Sequence, residues 1–332
     1  MKWEDLRRSQ NVEDRRGQNS SPFNRRRPGG SYRMPGGSGG LGGGGLFGLI
    51  RLLLMLPGMG RIVLLIIGGM LLFQFFGGLG LGDSSQHSQP NSDYRTQQVD
   101  RNNASVNRDQ IDSGEISDQD YEFMTRVLGS TEDFWHEIFQ SEGRSYREPQ
   151  LVIYERGTMT GGCGIGQAQA GPFYCPADET VYIDLSFWEQ LSQRFGAPGD
   201  FAQAYVLAHE VGHHIQNELG IMDEYQRARR RLSEREGNAL NVRLELQADY
   251  FAGAWAKYAE ELGILDEGDI EEALQAAFAV GDDTIQEQTY GRVVQDSFTH
   301  GTAEQRQAWF MEGYRYGDLA HSDTFNRRLS NE

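Results

Sequence analysis

Residues 205–216 read YVLAHEVGHHIQ. The apolar positions of this stretch recur at helical spacing, so His209 and His213 project from one face of a helix, one turn apart. That spacing allows two ring nitrogens to bind one zinc ion. Glu210 points about 100° away from His209, where it can reach water instead of the metal. We therefore predict that His209 and His213 are metal ligands and that Glu210 is a catalytic general base, as in the His-Glu-x-x-His pattern.

A second stretch of sequence, which carries two acidic residues, supplies a candidate third ligand. Residues 244–251 read LELQADYF, again at helical spacing, and Glu245 and Asp249 share one face among apolar neighbours. A catalytic zinc needs three protein ligands and an open fourth position, so we predict that Glu245 completes the shell of one Zn²⁺ per chain. Asp249 is predicted to accept the other ring N–H of a zinc-bound histidine. The alternative for both carboxylates is an ordinary solvated helix face.

The group that stabilises negative charge on the substrate oxygen is less well defined by the sequence. His300 lies just before a helix that Thr302 is expected to cap, and it is our catalytic candidate for this role. Tyr174 and Tyr250 are alternatives, and a structural or surface role for His300 also fits the sequence. His214 follows the second ligand, points elsewhere and is not expected to bind metal.

An uncharged apolar run precedes all of these residues. Residues 62–82 read IVLLIIGGMLLFQFFGGLGLG, a length that matches a helix across a bilayer core of about 30 Å. A buried core helix would show a polar stripe, and a cleaved signal peptide would be shorter and nearer the N-terminus. We predict a membrane anchor over residues 46–82 with its span at about 62–82.

Charge asymmetry then gives an expected orientation. Residues 1–61 carry eleven Lys and Arg against four Asp and Glu, although the whole chain has a net charge of −17. Bases on the N-terminal flank favour a cytoplasmic N-terminus, which places the chain after residue 82 outside the cytoplasm, in a periplasm or at the cell surface. The rest of the chain, residues 62–332, is acidic, which argues against a nucleic-acid partner because phosphate binding needs clustered Lys and Arg.

The two cysteines, Cys163 and Cys175, both follow the apolar run. In an oxidising compartment, thiols at this separation are expected to form a disulfide. Two thiolates do not fill a tetrahedral zinc shell, and a Cys-x-x-Cys redox spacing is absent. We predict a structural disulfide, which by loop-closure entropy contributes on the order of 3 kcal/mol.

Composition divides the chain into four parts. Residues 1–45 are basic and glycine-rich and are predicted to be a disordered cytoplasmic tail. The membrane anchor of residues 46–82 follows, and residues 83–115 lack large apolar side chains and are predicted to be a linker. Residues 116–332 are predicted to form the extracytoplasmic domain.

Within that domain the expected class is α+β, mostly helical with a small β element. The predicted strands are 151–154 and 180–184, and the predicted helices are 201–218, 239–262, 269–280 and 302–313. Helical spacing at Tyr121, Met124 and Leu128 is followed by Ser130-Thr131-Glu132-Asp133, which predicts the N-terminus of a further helix before Phe134. We also hypothesise that the glycine-rich loop 157–171 and strand 180–184 border the cleft and pair with an extended peptide.

The set of motifs resembles a known family. Together with GPFYCPADETVYIDLSFW at 171–188, ELQADYFAGAW at 245–255 and SFTHGTAEQR at 297–306, the chain resembles the bacterial putative neutral zinc metallopeptidase family. His209-Glu210-x-x-His213 followed by Glu245-x-x-Ala248-Asp249 is similar to the gluzincin arrangement. The resemblance covers the N-terminal anchor and essentially all of residues 116–320. It implies a zincin-like fold and a membrane-associated zinc hydrolase that acts on peptides or proteins.

A second function class fits the same residues. The alternative is a membrane-tethered, zinc-containing binding or scaffold protein without hydrolytic activity. A purely structural zinc site is normally closed by a fourth ligand and has no use for a base such as Glu210, which favours the enzyme. No feature of the sequence sets the oligomeric state.

Overall fold

Helices dominate the structure, with one small mixed sheet and one hairpin, which confirms the predicted α+β class. The computed structural model describes residues 1–17, 113–155, 157–167, 171–193, 196–197, 199–327 and 329. All of them belong to one compact unit.

The strands of the described residues form two sheets. In chain order they are β1 (Val12–Asp14), β2 (Gln150–Tyr154), β3 (Gly157–Met159), β4 (Ile165–Gln167), β5 (Phe173–Cys175) and β6 (Thr180–Asp184). The larger sheet has the order β1-β2-β6-β5, in which β1, β2 and β6 are parallel and β5 is an antiparallel outer strand. Strands β3 and β4 pair in a separate hairpin. Strands β2 and β6 are almost continuously buried, as expected of parallel strands covered on both faces.

The helices match the predicted ones to within a few residues where a prediction was made. They are α1 (Ser113–Ser141), α2 (Ser186–Gln193), α3 (Asp200–Glu218), α4 (Ile221–Arg229), α5 (Glu234–Glu261), α6 (Asp269–Ala279), α7 (Asp282–Tyr290) and α8 (Ala303–Tyr316), with a 3₁₀ turn at Gln295–Ser297. Capping boxes start two of them. Ser233 with Glu236 caps α5, and Thr302 with Gln305 caps α8, as the sequence predicts for Thr302.

The continuity of α1 differs from the sequence-based expectation. Ser130 and Thr131 look like a helix N-terminus in the sequence, yet both lie inside α1. Their hydroxyls donate back to the carbonyls of Val127 and Leu128, which is the alternative bonding open to Ser and Thr within a helix. Trp255 of α5 also donates to the Ser130 hydroxyl, which ties α1 to α5.

Helices α5 and α8 approach each other closely enough for their backbones to touch. A Cβ atom at Gly253 would lie 1.9 Å from the carbonyl oxygen of Phe310, and one at Gly313 would lie 1.9 Å from that of Tyr250. Only glycine fits at either position. Helix α3 packs against the other side of α5, where Gly212 faces Ala248. The site described below lies between α3, α5 and α8.

Residues 1–17 are ordered, so the expectation of a disordered tail is wrong for this part of residues 1–45. Strand β1 pairs with β2, and Trp3 packs edge-on against Phe123 with ring centroids 5.5 Å apart. The composition of residues 1–17 predicts disorder because the segment is rich in charged side chains. The contacts that order it come from residues that are distant in sequence, so a local pattern does not show them.

The remaining parts of the predicted tail and linker, residues 18–45 and 83–112, lie outside the described residues, as does the anchor of residues 46–82. Among the helices that the structure does describe, none combines the length and apolar character needed to span a bilayer.

Candidate metal centre

The three predicted ligands converge at the contact of α3 with α5. The Oε2 atom of Glu245 lies 3.3 Å from Nε2 of His209 and 3.5 Å from Nε2 of His213. Among the described residues, these three form one of two clusters with metal-ligand character. All three residues are at most 9% exposed.

The distances and donor types fit zinc. Two atoms bound about 2.1 Å from a tetrahedral zinc are roughly 3.4 Å apart, which is close to the two separations measured from Glu245. Two imidazoles and one carboxylate leave one position open, as catalytic zinc sites require. The second cluster, Asp200, Asp269 and Glu272, differs because the amino group of Met1 lies against it, 3.0 Å from Asp200.

Hydrogen bonds fix which ring nitrogen of each histidine faces the shared centre. Nδ1 of His209 lies 2.8 Å from Asp249, and Nδ1 of His213 lies 2.9 Å from the side-chain oxygen of Gln216. Both partners accept a hydrogen bond, so both Nδ1 atoms donate and both Nε2 atoms face Glu245, where each can bind a metal ion once it has lost its proton. Gln216 is itself held, because its amide donates to the carbonyl of Leu244.

A buried cation also binds Asp249. Asp249 is fully buried and accepts hydrogen bonds from Nε and Nη2 of Arg306 at 2.8 and 2.9 Å, as well as from the hydroxyl of Tyr205 at 2.6 Å. Burial alone would raise the pKa of Asp249, but Arg306 and His209 lower it to about 2. The carboxylate therefore stays ionised and holds the ring of His209 in place.

The electrostatics of the metal-free site favour protonated imidazole. Burial alone would lower the pKa of His209, but Asp249 and Glu245 raise it to about 9. Burial likewise opposes the charge of His213, and Glu245 raises its pKa. In return, the histidines hold the pKa of Glu245 below its usual range, against the effect of burial. The site is thus built to hold positive charge, which a divalent cation can supply in place of the protons.

Glu210 and His300 line the same cleft of 640 Å³ as the three converging side chains. No hydrogen bond from another described residue engages the Glu210 carboxylate. His300 is half exposed, and its Nδ1 lies 3.3 Å from Asp282. The Asp282 carboxylate also accepts the backbone N–H groups of Thr299, His300 and Gly301, which fixes this loop.

The other residues considered from the sequence have structural roles. Tyr174 lines the cleft, but its hydroxyl contacts Nδ1 of His214 and the amide of Asn217. His214 donates its other ring nitrogen to the carbonyl of Arg147 and takes no part in the metal cluster. The hydroxyl of Tyr250 contacts Asp318, away from the cleft.

The outer strand β5, rather than β6, borders the cleft. Phe173 and Tyr174 of β5 line it, whereas β6 has β2 on one side and β5 on the other and lines none of it. The hypothesis that strand 180–184 pairs with a peptide is therefore wrong. The predicted disulfide between Cys163 and Cys175 is present and ties the loop between β3 and β4 to the end of β5.

Comparison with known proteins agrees with this centre. A sequence profile of the family described as "Putative neutral zinc metallopeptidase" matches residues 1–325. The chain belongs to this family. No solved structure matches this member of the neutral zinc metallopeptidase family.

Two relatives show how much of the chain is shared with other proteins. Uncharacterized protein YpfJ of Escherichia coli strain K12 is 43% identical over 333 residues, which cover 99% of this chain and 100% of the relative. Uncharacterized protein Rv2575 of Mycobacterium tuberculosis strain H37Rv is 45% identical over 193 residues, 54% of this chain and 64% of the relative.

Two residues that support the candidate metal ligands, Arg306 and Gln216, are not predicted from the sequence. Arg306 lies on α8 in a turn that also carries the buried Trp309 and Phe310, and a lone base beside such residues signals a buried partner. Gln216 follows His213 by three positions, which places its side chain near that ring on the same helix. Both signals are visible in the sequence once the helix boundaries are known.

Proposed function

We propose that this protein is a membrane-anchored, zinc-dependent metallopeptidase that hydrolyses peptide bonds and binds one Zn²⁺ per chain. The observation that carries the proposal is the convergence of two imidazole Nε2 atoms on one carboxylate, with Glu210 beside them in an open cleft. A structural zinc site would use neither the cleft nor the glutamate.

His209, His213 and Glu245 are the residues that would hold the zinc. Bound there, zinc acts as a Lewis acid that makes water more acidic and polarises the scissile carbonyl. Glu210 takes the proton of the attacking water and passes it to the leaving amine. His300, oriented by Asp282, donates a hydrogen bond to the oxygen on which negative charge develops.

The shape of the cleft supports an extended peptide substrate. Outer strand β5 offers backbone groups at the cleft, where a peptide can add as a further strand. The walls are mostly apolar and include Phe173, Phe187, Val206, Met222, Leu244 and Ile285. We expect apolar side chains next to the bond that is cut.

Two features support a location outside the cytoplasm for the catalytic domain. The disulfide between Cys163 and Cys175 is typical of an oxidising compartment. The apolar run of residues 62–82 is long enough to anchor the chain in a membrane.

The decisive experiment compares Glu210→Gln with the parent chain and with Glu267→Gln, which replaces an exposed glutamate remote from the cleft. Each purified protein is assayed for bound zinc and for cleavage of a mixed peptide library, with and without a chelator. We expect Glu210→Gln to keep about one zinc per chain and to lose cleavage, while Glu267→Gln behaves like the parent. Equal cleavage by Glu210→Gln and the parent would contradict the proposal. If all three proteins bind zinc and none of them cleaves a peptide, the result would favour the alternative of a zinc-containing binding or scaffold protein.

A further inference from the structure

We propose that residues 1–17 are a structural part of the metallopeptidase domain and lie on the same side of the membrane as that domain. This arrangement replaces the one expected from charge, in which a single span separates a cytoplasmic N-terminus from an outside domain. The membrane anchor then has to enter and leave the bilayer on the side of the domain. It rests on the membrane association in the proposed function but not on peptidase activity.

Backbone pairing joins the segment to the domain. Strand β1 runs parallel to β2 with Val12, Glu13 and Asp14 opposite Leu151, Val152 and Ile153. The amide of Leu151 donates to the carbonyl of Asn11, and the amide of Arg15 donates to that of Ile153, both at 2.8 Å. Without residues 1–17, the outer edge of β2 would lose this partner.

A buried carboxylate depends on the same segment. Glu132 lies inside α1 and is only 1% exposed. It accepts hydrogen bonds from the Ser9 hydroxyl at 2.6 Å, the Asn11 amide at 2.9 Å and the Arg7 guanidinium at 2.8 Å. All three donors belong to residues 1–17. A buried carboxylate that loses its donors is strongly unfavourable, so α1 is built to receive this segment.

Gly129 gives an independent sign of the same fit. A Cβ atom at this position of α1 would collide with the carbonyl of Arg7, and it would lie 3.1 Å from the amide of Ser9. The absence of a side chain makes room for the passing chain. The helix therefore provides both a space and a polar anchor for residues 7–11.

The charge of the segment does not oppose this location. Residues 1–17 contain five bases and four acids, whereas residues 18–61 contain six bases and no acid. The excess of bases that orients a membrane segment therefore lies after residue 17. Arg7 and Arg8 pair with Asp133 and Glu122 of α1.

Sidedness can be measured on the full-length protein in its membrane. Single cysteines are introduced by Gln10→Cys and Glu142→Cys, which replace exposed side chains of the segment and of the domain. Intact cells are treated with a membrane-impermeant maleimide before and after permeabilisation, with the parent chain as background. We expect both cysteines to react under the same condition. Reaction of one before and the other only after permeabilisation would overturn the proposal.

A second measurement tests the packing itself. Gly129→Leu places a side chain where residues 7–9 pass, and Gln140→Leu is the control at an exposed position of the same helix. We expect trypsin to cut within residues 1–17 of the Gly129→Leu protein much faster than in the parent or the control. Equal cleavage of all three would overturn the proposal. Neither readout uses hydrolytic activity, so an inactive protein would disprove the proposed function and leave this inference standing.

Discussion

Nδ1 of His209 donates to the Asp249 carboxylate across 2.8 Å, and the guanidinium of Arg306 donates to both oxygens of that carboxylate. The two bonds make a chain from a base on α8 through α5 to a ring on α3. Because all three groups are buried, the orientation of the ring is set by fixed charges and not by solvent. The site is therefore arranged before any metal binds.

Replacing Asp249 tests this arrangement. Asp249→Asn removes the charge that orients His209 and makes it basic, so we expect zinc affinity to fall about 10- to 100-fold. The affinity is measured by competition with a chromogenic chelator. Asp296→Asn removes an exposed carboxylate and serves as the control. An unchanged affinity in Asp249→Asn, with the fold intact by circular dichroism, would contradict the assigned role.

Zinc affinity should rise with pH. In the metal-free protein the pKa of His209 is raised to about 9, so below that pH a zinc ion must displace its proton. We expect the affinity to increase at least about tenfold per pH unit between pH 6.5 and 8.5. The same competition assay across that range measures the slope. A flat profile would mean that His209 is already neutral.

The same raised pKa affects stability without metal. A histidine whose pKa lies above 6.5 in the folded state stabilises the fold fully below pH 6.5, and the contribution disappears as the pH rises through about 9. Metal-free protein should therefore lose thermal stability over this interval relative to zinc-loaded protein. Thermal unfolding at several pH values, with and without a chelator, measures the difference.

His300 is expected to act on the rate and not on metal binding. His300→Ala should lower kcat about 10²- to 10³-fold, because one donor to the developing negative charge is lost, while zinc content stays the same. Asp282→Asn should also lower kcat, because it weakens the hydrogen bonds that hold the loop carrying His300. His321→Ala is a matched control, since His321 also pairs with an aspartate but lies outside the cleft. Equal rates for His300→Ala and the control would exclude the role.

The contact between α5 and α8 should not tolerate a single methyl group. Gly253→Ala places Cβ against the carbonyl of Phe310, a backbone atom that cannot rotate away. We expect a loss of about 1–3 kcal/mol or more in the free energy of unfolding. Gly157→Ala is the control, because its Cβ would make only an ordinary contact at 3.4 Å. Urea unfolding of both variants measures the cost, and equal midpoints would contradict the close approach.

The parts of the site that the sequence predicts are those with local signals. His209 and His213 share a face because of helical spacing, and Glu245 is unusual because its neighbours are apolar. The order of residues 1–17 has no such signal, since Glu132 and β2 lie more than a hundred positions away. The sequence does not reveal the continuity of α1, because the hydroxyl of Ser130 can act either as a cap or as a donor to the preceding turn.

Strand β1 is made first during synthesis but pairs with residues 151–153. A nascent chain must therefore keep the residues of β1 unpaired until α1 and then β2 have left the ribosome. Pairing over such a sequence distance is slow, and until β1 pairs, the exposed edge of β2 can pair with other chains. Tags or fusions at the N-terminus are therefore attached to a segment that takes part in this late pairing step.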